Sequence, residues 1–183
     1  LANFSNLLSS EKWFGDKINQ ETIVKFIHDH FTVSWEYFFR FQIPYLVRHR
    51  NFFGDLESWN VWGSIALVQI REFIEKSQKQ VVETPNNFRD FYLLTLKNKA
   101  KRGINASSIS DISAIPRATV IRKLKAMEKK KLINRNKQLE YSMGSQPVHL
   151  KKVEENYLLN QKAFSNYATT MYNLMKHSKL KIN

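Results

Sequence analysis

Within the run IPRATVIRKLK, residues 115–125, six side chains are of the types that recognise a DNA groove: Arg117, Ala118, Thr119, Ile121, Arg122 and Lys125. Guanidinium groups grip guanine edges or phosphates, a threonine hydroxyl serves a phosphate, and a branched apolar side chain meets a thymine methyl. A small residue such as Ala118 lets the helix backbone come close to the bases. Upstream, Ser107 and Ser108 stand where a helix start could hold a phosphate through backbone N–H groups. Downstream, Arg135 and Lys137 are placed to grip flanking backbone or the minor groove. This is recognition chemistry, and nothing in the set makes or breaks a bond.

Spacing dictates the elements that must carry these groups. Asn105 is placed to cap a short helix whose Ile109 and Ile112, three apart, share one face. Ile115-Pro116 stops that helix and opens another, because proline disfavours the α conformation of the residue before it and suits the first position of a helix. The second helix, roughly 116–130, repeats Val120, Leu124 and Met127 at spacings of four and three, which predicts a buried stripe. Arg117, Ala118, Ile121, Arg122, Lys125 and Lys129 fall outside it. Alternation on either side of NRNKQ, ending in Leu139, Tyr141 and Met143, predicts a hairpin from Leu132 to Met143 with Arg135 and Lys137 near its tip.

A short helix, a turn, a basic second helix and a hairpin together resemble the winged helix-turn-helix domains of bacterial transcription regulators of the IclR and MarR types. The phrase IPRATVIRKLKAMEKKKLI is similar to the IclR-type order of an apolar residue, PRATV, a spaced Arg and Leu, then Glu, basic residues and an apolar pair. The likeness runs from the helix before Gly103 through Met143. It implies a mainly α protein, a winged helix-turn-helix with a small β-hairpin wing, here flanked by long N- and C-terminal helices. Two positions depart from the family: Ala114 replaces the usual turn glycine, and Lys131 the glycine that usually ends the recognition helix. An alanine held at positive φ costs on the order of 1 kcal/mol.

Charge points the same way independently of any motif. Residues 97–137 carry thirteen Lys and Arg against two acids, a net of +11, whereas the whole 183-residue chain is +13. A lysine-rich helix by itself is usually a solvated face. Concentration of the excess on the helix-turn-helix turns it into a phosphate-binding surface, whose affinity should fall steeply with salt.

Composition excludes several classes. There is no cysteine, so no disulfide framework or thiolate metal site exists. His28 and His30, two apart, point to different sides of a helix, and His49, His149 and His177 are isolated, so no metal ligand set is expected. With five glycines and no phosphate loop or nucleophile elbow, neither an enzyme nor a cofactor is expected. No apolar run is long enough to span a membrane, and the start LANFSNLLSSEKWF lacks a basic opening followed by an apolar stretch, so neither a spanning nor a secreted protein and no membrane partner are expected, while the DNA-binding reading makes the expected location cytoplasmic.

Around the reading head the chain is helical by pattern. Thr22 to Val47 is aromatic-rich with Pro44 expected to kink or end it. Asp55 is placed to cap a helix to about residue 80, in which Trp59, Gly63, Ala66, Ile70 and Phe73 recur at four and three. The aromatics fit either a helical core or dimer seam, or an effector pocket lined by Trp35, Phe39, Trp59 and Trp62 for a small molecule. Phe88 to Lys101 reads as the first helix of the winged domain. Pro147 to His177 repeats Val153, Tyr157, Phe164, Ala168, Met171 and Met175 on one stripe. That stripe is longer than one small domain covers, which predicts a homodimer.

The expected organisation is thus a helical, aromatic-rich region for dimerisation or sensing over 1–86, a winged helix-turn-helix DNA-binding domain over 87–146 and a C-terminal dimerisation helix over 147–183. The function expected is a sequence-specific regulator of transcription that binds double-stranded DNA. The alternative is a winged module used for protein assembly or RNA binding, with the basic face acting only electrostatically.

Overall fold

The computed structural model describes residues 20–79, 89–91, 93, 103–144 and 147–177. The protein is mainly helical with one small two-stranded antiparallel sheet. The elements in chain order are α1 (Gln20–Asp29), α2 (Phe31–Phe53), α3 (Leu56–Gln78), α4 (Ala106–Ser113), α5 (Arg117–Lys129), β1 (Ile133–Arg135), β2 (Tyr141–Met143) and α6 (Pro147–His177). They form two compact units, one of Leu46–Asn160 and one of Leu1–Tyr45 with Gln161–Asn183. These divisions fall elsewhere than the boundaries at 86 and 146 expected from the sequence. The difference arises because α3 packs into the same unit as α4, α5 and the hairpin.

In the larger unit the core is built where α3, α4, α5 and the hairpin meet. Val61 and Ile65 of α3, Ile109 of α4, Val120, Leu124 and Met127 of α5, and Ile133 and Met143 of the hairpin are all buried. The stripe expected on α5 is therefore the buried one. On α3, Ala66 and Phe73 are buried as expected, but Ile70 is exposed and Val61, Ile65 and Gln69 take the inward positions. The helix has apolar residues on two neighbouring stripes, and the partners that cover it select one. Ile112 of α4 is likewise 49% exposed, because so short a helix is held through Ile109 and Ala106 alone.

Caps and turns explain the element ends. Asn105 accepts a hydrogen bond from the Ser108 N–H at 2.9 Å, and Asp55 accepts one from the Ser58 N–H at 2.7 Å. At the end of α5 the Lys131 N–H donates to the Glu128 carbonyl and the Leu132 N–H to the Met127 carbonyl, with Lys131 at φ 57. This is a Schellman ending, closed by contact between the buried Leu132 and Met127 levels. Ala114, which ends α4, also lies left-handed at φ 55. Ala114 and Lys131 thus both hold, without being glycine, the backbone conformation that glycine favours.

The hairpin pairs Ile133 with Met143, Asn134 with Ser142 and Arg135 with Tyr141. Ile104 adds a further bridge, exchanging two backbone bonds of 3.0 and 2.8 Å with Tyr141, so the chain entering α4 is stitched to β2. Gln69, buried on α3, accepts the Met143 N–H at 2.9 Å and ties the same strand to the helix behind it. Leu139, expected to alternate with Tyr141 and Met143, instead sits exposed at φ 60 within the hairpin loop. The Asn136 side chain shapes that loop by accepting the N–H groups of Gln138 and Glu140.

In the smaller unit, Phe38 and Phe41 of α2 meet Phe164 and Tyr167 of α6, with Phe41 stacked on Tyr167 at 5.9 Å. Part of the C-terminal stripe is therefore covered by its own chain. Pro44 does not end α2, which runs on to Phe53. Arg40 and Pro44 are both exposed, so the carbonyl that loses its amide donor can be hydrated. The helix expected over Phe88 to Lys101 falls largely outside the described residues, although Phe91 packs edge-on against Phe73 at 5.3 Å.

Backbone geometry sets opposite outcomes at two positions. Ala114→Gly relieves a left-handed alanine and should raise stability by about 0.5–1 kcal/mol after the greater unfolded-state freedom of glycine. A Cβ at Gly144 would run into the backbone of Lys131 and Leu132, so Gly144→Ala should lower stability by about 1–3 kcal/mol. Urea denaturation followed by circular dichroism measures both.

Candidate nucleic-acid interface

The turn between α4 and α5 is held by serines. Ser110 Oγ donates to the Ile115 carbonyl at 2.7 Å, and Ser113 Oγ donates to the Ile109 carbonyl at 2.7 Å while lying 3.3 Å from the Ile115 N–H. These bonds satisfy backbone groups that a tight corner would otherwise leave open. Buried Ile115 anchors the corner, and Pro116 at φ −52 launches α5. The direction of α5 is thus set before its first exposed cation, Arg117.

From that base, α5 presents Arg117, Ala118, Arg122, Lys125 and Lys129 to solvent, with Thr119 and Ile121 half-buried at the edges of the face. Arg117 Nε donates to Ser107 Oγ at 3.1 Å, so two of the expected contact residues from different helices are brought together. Ser108 behaves differently from the expectation. Its backbone N–H is already taken by the Asn105 cap and is not free for a phosphate. Arg135, on β1, is exposed and its Nε lies 3.2 Å from Glu128 Oε1 of α5, which fastens the hairpin to the helix. Lys137 stands exposed in the hairpin loop.

One cation on α5 faces the other way. Lys123 is only 8% exposed and its Nζ lies 2.7 Å from Asp55 Oδ2 and 3.1 Å from Glu57 Oε2. The sequence offered one hint, since Lys123 precedes Leu124 on the flank of the buried stripe. Its partners lie more than sixty residues away at the start of α3, where local spacing cannot reveal them. Burial pulls the Lys123 ammonium toward the neutral form, but its bonds to Asp55 and Glu57 outweigh this and hold its pKa above the ordinary lysine value. For Asp55, burial acts upward and is outweighed by the bonds from Lys123 and Ser58, leaving the carboxyl below its ordinary value.

The four expected effector-pocket residues divide. Trp35 and Phe39 are neighbours on the surface of α2, their rings 5.5 Å apart. Trp59 and Trp62 stack at 5.7 Å and pack against the core beside Phe53, with Trp59 also on the His49 ring at 3.8 Å. The first pair belongs to the smaller unit and the second to the larger. Among the described residues no group of three or more His, Cys, Asp or Glu is placed to hold a metal ion, and no helix is long and apolar enough to cross a membrane. Comparison of the chain with protein-family models, with curated proteins and with solved structures returns no match.

The Asp55–Lys123 link carries a pH signature. With Asp55 depressed, its stabilisation is present above the ordinary carboxylate value and lost as pH falls through the lowered one. With Lys123 raised, it persists below the ordinary lysine value and is lost as pH climbs through the raised one. Asn at position 55 keeps the helix cap and removes the charge. The stability difference between wild type and Asp55→Asn should therefore be constant near neutrality and shrink below about pH 4, as read from denaturation midpoints across a pH series.

Proposed function

We propose that this protein is a sequence-specific regulator of transcription that binds double-stranded DNA, with α4 and α5 as its helix-turn-helix, α5 as the recognition helix and the β1–β2 hairpin as its wing. The observation that carries this is the division of α5. Val120, Leu124 and Met127 are buried, Lys123 is withdrawn onto Asp55 and Glu57, and the remaining cations share the outward side with Ala118. A helix so mounted can approach the floor of a B-form major groove, which is wide enough to admit it. The A-form major groove of an RNA duplex is too narrow for side chains to read in this way.

Roles follow from position. Arg122, one turn into α5, exposed and in no ion pair among the described residues, suits bidentate recognition of guanine. Arg117, already bonded to Ser107 at the mouth of the turn, suits a phosphate, with the Thr119 hydroxyl beside it. Ile121 suits a thymine methyl. Lys125 and Lys129 follow the groove wall, and Arg135 and Lys137 serve the flanking backbone.

Gel-shift titration against sequences selected from random DNA tests the assignment. Arg122→Ala should cost about 1–3 kcal/mol on the selected site and much less on random DNA, whereas Lys137→Ala should weaken both alike and reduce the salt slope by about one charge. Lys123→Ala, next in the chain to Arg122, should lower folding stability. Equal loss on selected and random DNA for Arg122→Ala would show that α5 does not read sequence.

A further inference from the structure

Two of the outward arginines are held by their own chain, each through the same atom. Arg117 Nε donates to Ser107 Oγ at 3.1 Å, and Arg135 Nε lies 3.2 Å from Glu128 Oε1. Arg122, Lys125 and Lys129 have no comparable hold among the described residues. Neither contact is needed by the fold. The turn before α5 is closed by Ser110 and Ser113, and α4 is capped by Asn105, so Ser107 stands outside that set. The hairpin is fixed by buried Ile133 and Met143, by Gln69 on the Met143 N–H and by the bonds between Ile104 and Tyr141. The Arg135 and Glu128 side chains are 42% and 34% exposed, and pairs so open to water contribute little to folding.

We propose that Ser107 and Glu128 are positioning residues for backbone recognition, each holding one arginine by Nε so that its Nη fork is presented to a DNA phosphate. This rests on the DNA-binding reading and adds to it two residues that need not touch DNA. An arginine loses much rotamer freedom when it is immobilised, and fixing it beforehand removes that cost from the binding step. With Nε occupied, the two Nη groups remain as a planar end-on fork, which matches two oxygens of a phosphate.

Spacing says what the two forks meet. Arg117 opens α5, and Glu128, the holder of Arg135, lies near its end. They are about three turns apart, roughly 16 Å along the axis. A B-form major groove is about 12 Å wide. The forks therefore stand at the two walls of one groove, where the phosphates are, and Arg122 between them is left to the base edges. Glu128 is the only acid on α5. A carboxylate beside a phosphate-binding surface opposes DNA by its charge, whereas as the holder of Arg135 it favours DNA. The two effects have opposite signs, so removing Glu128 separates them.

Fluorescence anisotropy of labelled duplexes, one selected from random DNA and one of random sequence, titrated with the full chain tests the proposal. Glu128→Ala should weaken binding to both roughly three- to tenfold although it removes a negative charge, and Glu128→Gln, which keeps the acceptor oxygen, should bind at least as tightly as wild type. Ser107→Ala should cost a similar factor and Ser107→Thr should not. Each loss should vanish where its arginine is already gone, Ser107→Ala on Arg117→Ala and Glu128→Ala on Arg135→Ala, while urea midpoints hardly move. Tighter binding by Glu128→Ala overturns the proposal. So do losses that persist without the arginines or follow a fall in urea midpoint, and conservative variants that fail like the alanines. A wild type that binds both duplexes equally sinks sequence reading but leaves these comparisons intact, because any duplex carries phosphates. A wild type that binds neither overturns both.

Discussion

Burial of one side of α5 is the constraint on which the rest of the larger unit depends. Val120, Leu124 and Met127 are almost wholly removed from solvent, and large apolar side chains contribute about 1.5–3 kcal/mol each when fully buried. That contact fixes the rotation of the helix about its axis. Once the rotation is fixed, every other side chain on α5 has its direction assigned. The serine-bonded turn sets where the helix begins, and the left-handed Lys131 sets where it ends. Leu132 and Ile133 follow into the same core, so the hairpin leaves from a determined place.

Charge is partitioned by the same contact. Among the described residues of 103–137 most of the positive charge lies outward, and Lys123 is the exception that the core does not tolerate unpaired. Two carboxylates at the start of α3 compensate it, and both remain partly open to water, which limits the desolvation penalty of the cluster. One of them, Asp55, also caps α3. A single side chain therefore terminates one helix and anchors another. Glu128 does similar work on the opposite flank, holding Arg135 of the hairpin to α5.

What could be foreseen was local. The caps at Asn105 and Asp55, the bounds of α6, the buried stripe of α5 and the inward Tyr141 and Met143 of the hairpin all follow from residue types within a turn or two of each other. The outward placement of Arg117, Arg122 and Lys125 was legible for the same reason, since it is the complement of a clear stripe. Less legible was α3, where two adjacent apolar stripes compete and Ile70 lost to Ile65 and Gln69. Leu139 failed as a strand residue because the Asn136 loop claims it with a positive φ. Pro44 failed as a helix stop because a proline on the wet side of a long helix leaves its orphaned carbonyl in reach of water.

By itself the sequence determined that these residues make helices with basic and apolar sides, a proline-launched turn and a short hairpin, because capping, periodicity and proline sterics act over a few residues. Only the tertiary structure decided which apolar stripe of α3 turned inward, that Lys123 would leave the cationic face for Asp55 and Glu57, and that Ile104 would stitch the entry of α4 to β2. It also decided which aromatics of α2 meet α6 and which stand clear. The physical reason is common to all four. Each depends on a partner far away in the chain, and the free energy of covering a surface is assigned only when that partner arrives.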